Sequence, residues 1–501
     1  MQKYIYKIFS FLSAGLFLFL TYYSLRYSYI NANFLNEILH EVQDNVLLNM
    51  LWIVLVVGAG LLLVKFSEKI NEKWFLWILL FINVLALLFG RYWLVNSHSL
   101  PYHDQSLIYE LAEQFSNGDY TSMTPYGGYV GKYPHQLGII TFIRILSRMA
   151  GTFECRPFQA FNLYMLPVMI TSGYFIVKEL TGGKKGARIL YLIGMLLCFP
   201  MYVYVPFVYG EISSTALVFA VTWVILSGFR KFQWYKPVLA GVLLALAIQL
   251  RKNSLICLIA IVLVLVLHII LNKKYKCIAF LVAVVAFPIL TQAGVDALYK
   301  PYEVQEEYGI PSSLHIAMGL NDYSEMGPGW YDGFGVDTYI YKAQADVALS
   351  KELAKEHIEE RLSYMWNHKA YALNFYKTKC LSQWNDPLYL SLKMSSGGVA
   401  ESEGFVYDVY FGDARDLVLG YSNVYQLIIY LLVFVVCLFG GIERKEDYNI
   451  SFYILLIAVF GGFLFSLMWE AKSRYIFPYF MFMIPYAAIG LDKVYGVIKR
   501  H

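Results

Sequence analysis

The chain has 501 residues, 58% hydrophobic and only 15% charged, with a formal net charge of +4 and a mean hydropathy of +0.51. A soluble globular protein carries about a quarter charged residues, so a soluble fold is excluded. The apolar runs approach the roughly 20 residues that a bilayer core requires, which excludes a β-barrel with its alternating segments of about ten residues. Apolar runs fall at 6–29, 45–64, 74–96, 157–177, 187–205, 212–228, 237–250, 254–271, 277–298, 421–440, 450–469 and 475–491. The fold class is therefore an all-α polytopic membrane protein, with a bundle of about 12 transmembrane helices. The first run has no small-residue cleavage site and reads as a membrane helix acting as its own signal.

A further run, 133–150, contains Pro134, His135, Gln136, Arg144 and Arg148 and makes a poor span. Basic residues decide its status, because cytosolic loops carry an excess of Lys and Arg. With Lys3 and Lys7 in the cytosol, the basic stretches 65–73, 178–188, 230–236, 273–276 and 493–500, together with Arg444 and Lys445, share that side only if 133–150 does not cross. It is then an amphipathic or re-entrant helix on the outer face, and both termini are cytosolic. Four regions follow: an N-terminal two-span addition (1–72), a membrane module (73–298) with an external loop at 97–156, an external segment (299–420), and a C-terminal three-span module (421–501).

The external segment opens with a Gly-, Pro- and Tyr-rich part at 311–335. Helical spacing of apolar residues follows at 342–366, and a third piece reads as helical up to Pro387. Its length points to a functional or binding role. The six cysteines are scattered and form no CxxC; they read as free thiols, with no metal site and no disulfide framework. TGGKKG at 181–186 lacks the Walker spacing and a preceding strand, so it is a cytosolic turn. Nothing supports nucleic-acid binding.

Polar residues at the lip of a span usually serve chemistry or transport. His103 to His135 is such a stretch, directly after an apolar run. Asp104 is a candidate general base, and equally a candidate N-cap for the helical pattern Leu107, Ile108, Leu111, Ala112, Phe115. Lys132 suits a phosphate or a lipid headgroup. Glu211, Arg251, Lys252, Glu470, Lys472 and Arg474 lie at the outer ends of later spans. Basic residues there run against the positive-inside bias, and a bound anion explains them.

These residues carry a resemblance. Asp104, NGDY at 117–120, KYPHQLG at 132–138, YGEISS at 209–214, QLRKNSL at 249–255 and EAKSRY at 470–475 resemble, in order and placement, the GT-C superfold glycosyltransferases. The pattern is similar to that of protein O-mannosyltransferases and the bacterial aminoarabinose transferase. It covers spans three to nine and reaches the last three through EAKSRY. Gln105 stands where the mannosyltransferases have a second acidic residue, and the acidic ligands of metal-dependent oligosaccharyltransferases are missing. No cofactor is implied with certainty, and a divalent metal is possible without support from the sequence.

The resemblance implies a bacterial plasma-membrane enzyme working on the outer face. It would move a monosaccharide from a polyprenyl-phosphate donor, with inversion, to an acceptor hydroxyl on a cell-envelope glycan, lipid or protein. It assigns Asp104 as the base, and Lys132, Arg251, Lys252 and Arg474 to the donor phosphate. Glu211, His103, Tyr133, His135 and Glu470 fall to the acceptor or substrate. The alternatives are a polymerase or ligase of lipid-linked oligosaccharides and a transporter of lipid-linked saccharides. A transporter places its charges near the midplane, often with an internal repeat; here they gather at one face.

Overall fold

The structure is a computed structural model and describes residues 2–31, 36–124, 126, 128–303, 305, 307–442 and 449–500. The first apolar run is not helical throughout. Helix α1 (Gln2–Ser24) ends early, and the remainder forms strand β1 (Tyr27–Asn31), antiparallel to β2 (Leu39–Gln43). Helix α2 (Val46–Ser67) starts at Asn45, whose side chain accepts from the Leu48 N–H. After α3 (Trp74–Ser97) come three shorter helices, α4 (Asp104–Ser116), α5 (Tyr129–Lys132) and α6 (Leu137–Ala150).

Helix α6 is the ambiguous run. Its 14 residues rise about 21 Å, well short of the roughly 30 Å hydrocarbon core. Ile139, Ile140 and Ile143 are buried on one face. Arg144 is buried too, donating to the Tyr299 hydroxyl and the Phe115 carbonyl, both at 3.0 Å. The charge that spoils a span thus ties α6 to its neighbours.

Next come α7 (Arg156–Thr181), α8 (Lys185–Leu196), α9 (Phe199–Val203), α10 (Glu211–Arg230), α11 (Tyr235–Leu250), α12 (Ser254–Asn272) and α13 (Ile278–Tyr299). The segment beyond is mostly helical: α14 (Ser312–Met318), α15 (Phe334–Asp337), α16 (Val347–Asn367), α17 (Lys369–Trp384), α18 (Ser391–Met394) and α19 (Gly404–Phe411). Helices α20 (Ala414–Ile442), α21 (Ile454–Met468) and α22 (Phe477–Ile498) complete the bundle.

Among the described residues, ten helices are long and apolar enough to cross a membrane. Of the 12 runs expected to span, two differ. Helix α11 has only 16 residues. The run 187–205 breaks between α8 and α9 at Cys198, two residues before Pro200. Pro200 lies in the first turn of α9, where proline's fixed backbone and missing N–H fit, so it marks the start of a new helix. The 1–72 region packs into the bundle, α1 along α20 and α2 against α8.

The helices alternate, so the basic connections collect at one end. Arg188 donates to both Glu72 carboxylate oxygens, at 2.6 and 2.7 Å, and Lys499 pairs with Glu68 at 2.7 Å. Lys184 reaches Asp492 at 3.4 Å and Arg230 reaches Glu179 at 3.3 Å. Arg444 and Lys445 lie outside the described residues. The first residues of α4, α10 and α12 and the last of α11 and α21 lie at the other end. The six cysteines are all buried free thiols.

Candidate active site

At that second end a cavity of about 920 Å³ opens between the bundle and the segment running from α14 to α18. Its charged lining comprises Arg251, Lys252, Lys393, Lys472 and Arg474 against Glu37, Asp104 and Glu470. Aromatic rings fill much of the rest: Tyr102, Tyr129, Tyr133, Phe207, Tyr209, Tyr331, Trp469 and Tyr475.

Arg251 and Arg474 form the positive corner. Arg251 follows the last residue of α11, and Arg474 lies in the short turn leading into α22. Glu211, the first residue of α10, sits between and behind them. Its carboxylate is 3.1 Å from Arg251 Nη2 and 3.5 Å from Arg474 Nε. Its side chain is 1% exposed, against 11% for Arg251 and 7% for Arg474. A buried ion pair of this geometry holds its members in place. Gly210 makes the approach possible. Its φ is +95°, and a Cβ there would collide with the Leu250 carbonyl at the end of α11.

This corrects the expectation for Glu211. It is not among the residues that line the cavity, and its buried carboxylate lies against the two arginines. Lys132 also departs from expectation. The cavity is lined from its segment by Tyr129, Tyr133 and His135, and Lys132 is not among the lining residues. Its carbonyl instead accepts the Ile310 N–H at 2.9 Å.

Asp104 faces the cavity from the opposite wall. It is the first residue of α4, and the N-cap position belongs to His103, with φ +50° and no side-chain cap. The capping reading of Asp104 therefore does not hold. Its carboxylate accepts from the Tyr209 hydroxyl at 3.5 Å. Gln105, the next residue, pins the start of α4. It donates to the Met394 carbonyl at 3.0 Å and accepts the Val208 N–H at 3.1 Å.

Tyr209 joins the two walls. Its hydroxyl accepts from Gln136 Nε2 at 2.7 Å and shares a hydrogen bond with Tyr129 at 3.0 Å. Its ring has Arg251 at 5.2 Å and Arg474 at 5.1 Å, within cation–π range. Tyr475 lies 5.4 and 5.5 Å from the same guanidinium groups. Both lie in motifs singled out in the sequence, Tyr209 in YGEISS and Tyr475 in EAKSRY, but neither was assigned a role there.

Lys252 lines the cavity beside Arg251 and donates to Gln292 Oε1 at 2.5 Å. Burial pushes its ammonium down to about 8, with Asp296 opposing. His135 also faces the cavity. Withdrawal from bulk water, followed by His315, Lys252 and Arg251, pushes its imidazole down to about 3. Tyr133 lies 6.0 Å from its ring, and His103 packs on Tyr102 at 4.7 Å.

Glu470 pairs with His315 at 3.6 Å, and Lys472 pairs with Glu37 at 2.7 Å. Glu37 comes from the loop before β2, so the N-terminal region supplies part of the wall. Burial raises the Glu37 carboxyl, but Lys472, Arg474 and Lys393 outweigh it and hold the group below its ordinary range. Nothing in the sequence marked Glu37 or Lys393. The turn carrying Glu470 to Arg474 is fastened from the α14–α18 segment. The Ala471 N–H donates to the Gly329 carbonyl at 2.7 Å, and Ser473 Oγ donates to buried Asp386 at 2.6 Å. Among the described residues, no three His, Cys, Asp or Glu side chains converge as a metal-ligand set.

No family model matches the chain, and no curated protein matches its sequence. Among solved structures, a crystal structure of the Archaeoglobus fulgidus oligosaccharyltransferase, disulfide-tethered to an acceptor peptide, is similar to it. The match covers 86% of this chain and 50% of that one, at 11% identity and a TM-score of 0.44. The chain thus spans half the length of that structure.

Proposed function

We propose that this protein is a membrane glycosyltransferase that moves a sugar from a polyprenyl-phosphate donor to an acceptor hydroxyl. One observation carries the reading. A cavity-facing carboxylate, Asp104, and an arginine pair held by a buried counter-ion share one polar cavity at the end of an apolar bundle. The chemistry requires those two parts. An acceptor hydroxyl is a weak nucleophile and needs a base within hydrogen-bond reach. The departing phosphate gains negative charge and needs fixed cationic donors.

In the proposed step, Asp104 takes the acceptor proton as its oxygen attacks the anomeric carbon. The carbon–oxygen bond to phosphate breaks, and polyprenyl phosphate leaves with the electron pair. Arg251 and Arg474, joined by Lys252, bear the developing charge, and one displacement inverts the anomeric centre. Tyr209 positions the base relative to the clamp. Lys132 has no part in it. The gathering of basic loops at the far end supports a cytosolic location for that end and an external one for the cavity.

The test supplies labelled polyprenyl-phosphate hexose and pentose to purified protein in native-lipid vesicles, and follows release of polyprenyl phosphate. Asp104→Asn should lose turnover and keep donor binding. Wild-type turnover in that variant would remove Asp104 from the base role.

A further inference from the structure

A second cavity lies on the other side of α21. Phe465 of that helix and Trp469, the residue after it, line the first cavity; Phe463 and Leu467 line the second, a groove of about 1040 Å³. Its other walls are α1, through Leu16 and Phe19, and the α16–α17 hairpin. Trp366 and Leu373 are 73% and 74% exposed beside it. Such side chains do not stand well in water. The groove lies near the last turns of α1 and α21, both long enough to cross a membrane. It is therefore at the bilayer boundary of the active-site end, where Trp, Tyr and Lys gather.

Among the described residues, two charged ones line it, Lys369 and Lys377. Lys369 sits over the Trp366 ring at 4.8 Å and Lys377 over the Tyr23 ring at 5.3 Å. Among the described residues neither is ion-paired, whereas Lys351 and Lys355 of α16 pair with Glu307 and Glu359. An apolar trough whose whole charge is two ammonium groups matches a ligand with acyl chains and an anionic head.

The geometry points to an anionic phospholipid bound in this groove, its chains against Phe19, Leu373, Phe463 and Leu467 and its phosphate at Lys369 and Lys377. The inference rests on the membrane placement of this end, not on sugar transfer. A lipid seated there would brace α21 from behind the active-site wall. Buried Lys379 already holds the end of α21, donating to the Leu467 carbonyl at 3.0 Å.

The test uses the full-length protein, delipidated in detergent and offered phosphatidylglycerol or phosphatidylcholine, with retained lipid read by native mass spectrometry. Wild type should retain phosphatidylglycerol in preference. Each lysine near an anionic headgroup contributes about a five-fold factor, so Lys369→Gln with Lys377→Gln should weaken phosphatidylglycerol retention about thirty-fold. Phosphatidylcholine retention should not change. Lys369 is exposed and Lys377 half-buried, and an unchanged unfolding midpoint checks the fold. Equal retention of the two lipids by wild type, or undiminished phosphatidylglycerol in the double variant, overturns the inference. So does displacement of phosphatidylglycerol by an equal concentration of polyprenyl phosphate, which would make the groove a donor-tail site. No arm reads sugar transfer, so failure here leaves the catalytic proposal standing.

Discussion

Glu211→Gln probes the centre of the site. The substitution keeps the side-chain shape and removes the buried carboxylate that lies 3.1 Å from Arg251 and 3.5 Å from Arg474. At an effective dielectric constant of about 20, each contact is a gross attraction of about 5 kcal/mol. Desolvation of the three groups offsets much of that, yet removing one partner of a buried pair still costs about 3–5 kcal/mol, because the other charges stay buried. The variant should therefore unfold at a clearly lower temperature in detergent. Polyprenyl phosphate should reverse the loss. With the carboxylate gone, its phosphate supplies the missing negative charge, and a ligand that binds only the folded state stabilises it by mass action. Added polyprenyl phosphate should thus raise the midpoint of Glu211→Gln more than that of wild type. Equal stability of the two proteins, or equal stabilisation by the ligand, would refute the idea that Glu211 is the counter-ion of an anion-binding pair.

Three further outcomes are expected. Tyr209→Phe removes a hydroxyl worth about 1 kcal/mol; turnover should fall while donor affinity, set by the arginines, stays within about two-fold. Lys132→Ala should leave donor affinity unchanged and Arg474→Ala should abolish it, in the same equilibrium binding assay. Lys252 is charged below about 8 and neutral above it. Donor affinity should therefore be flat below that pH and fall as pH rises through it. Lys252→Gln should bind about ten-fold more weakly and show no such fall, since a hydrogen bond to a charged group contributes about 1.5–3 kcal/mol; an unchanged pH profile in that variant would remove Lys252 from the clamp.

Much of this protein is determined locally. Bilayer thickness and the energetic cost of unpaired backbone groups in lipid force apolar runs into helices. That is why 45–64 and 74–96 read correctly as spans, and why 133–150, broken by Arg144 and Arg148, read correctly as something shorter. The ends of those runs also told which residues gather at one end of the bundle: Asp104, Arg251, Lys252 and Arg474 all line one cavity. What a run boundary cannot convey is depth and direction around the bundle. Glu211 and Arg251 lie at the same level, but one is sealed behind the other because Gly210 lets α10 close against the end of α11. Lys132 is one residue from Tyr133 and still outside the lining. Tyr209 touches Asp104 and both arginines only because α4, α10, α11 and the turn before α22 converge on it from positions more than 350 residues apart in sequence. Hydrophobicity along the chain decides what enters the membrane and where it stops; packing between helices decides which side chain faces the cavity.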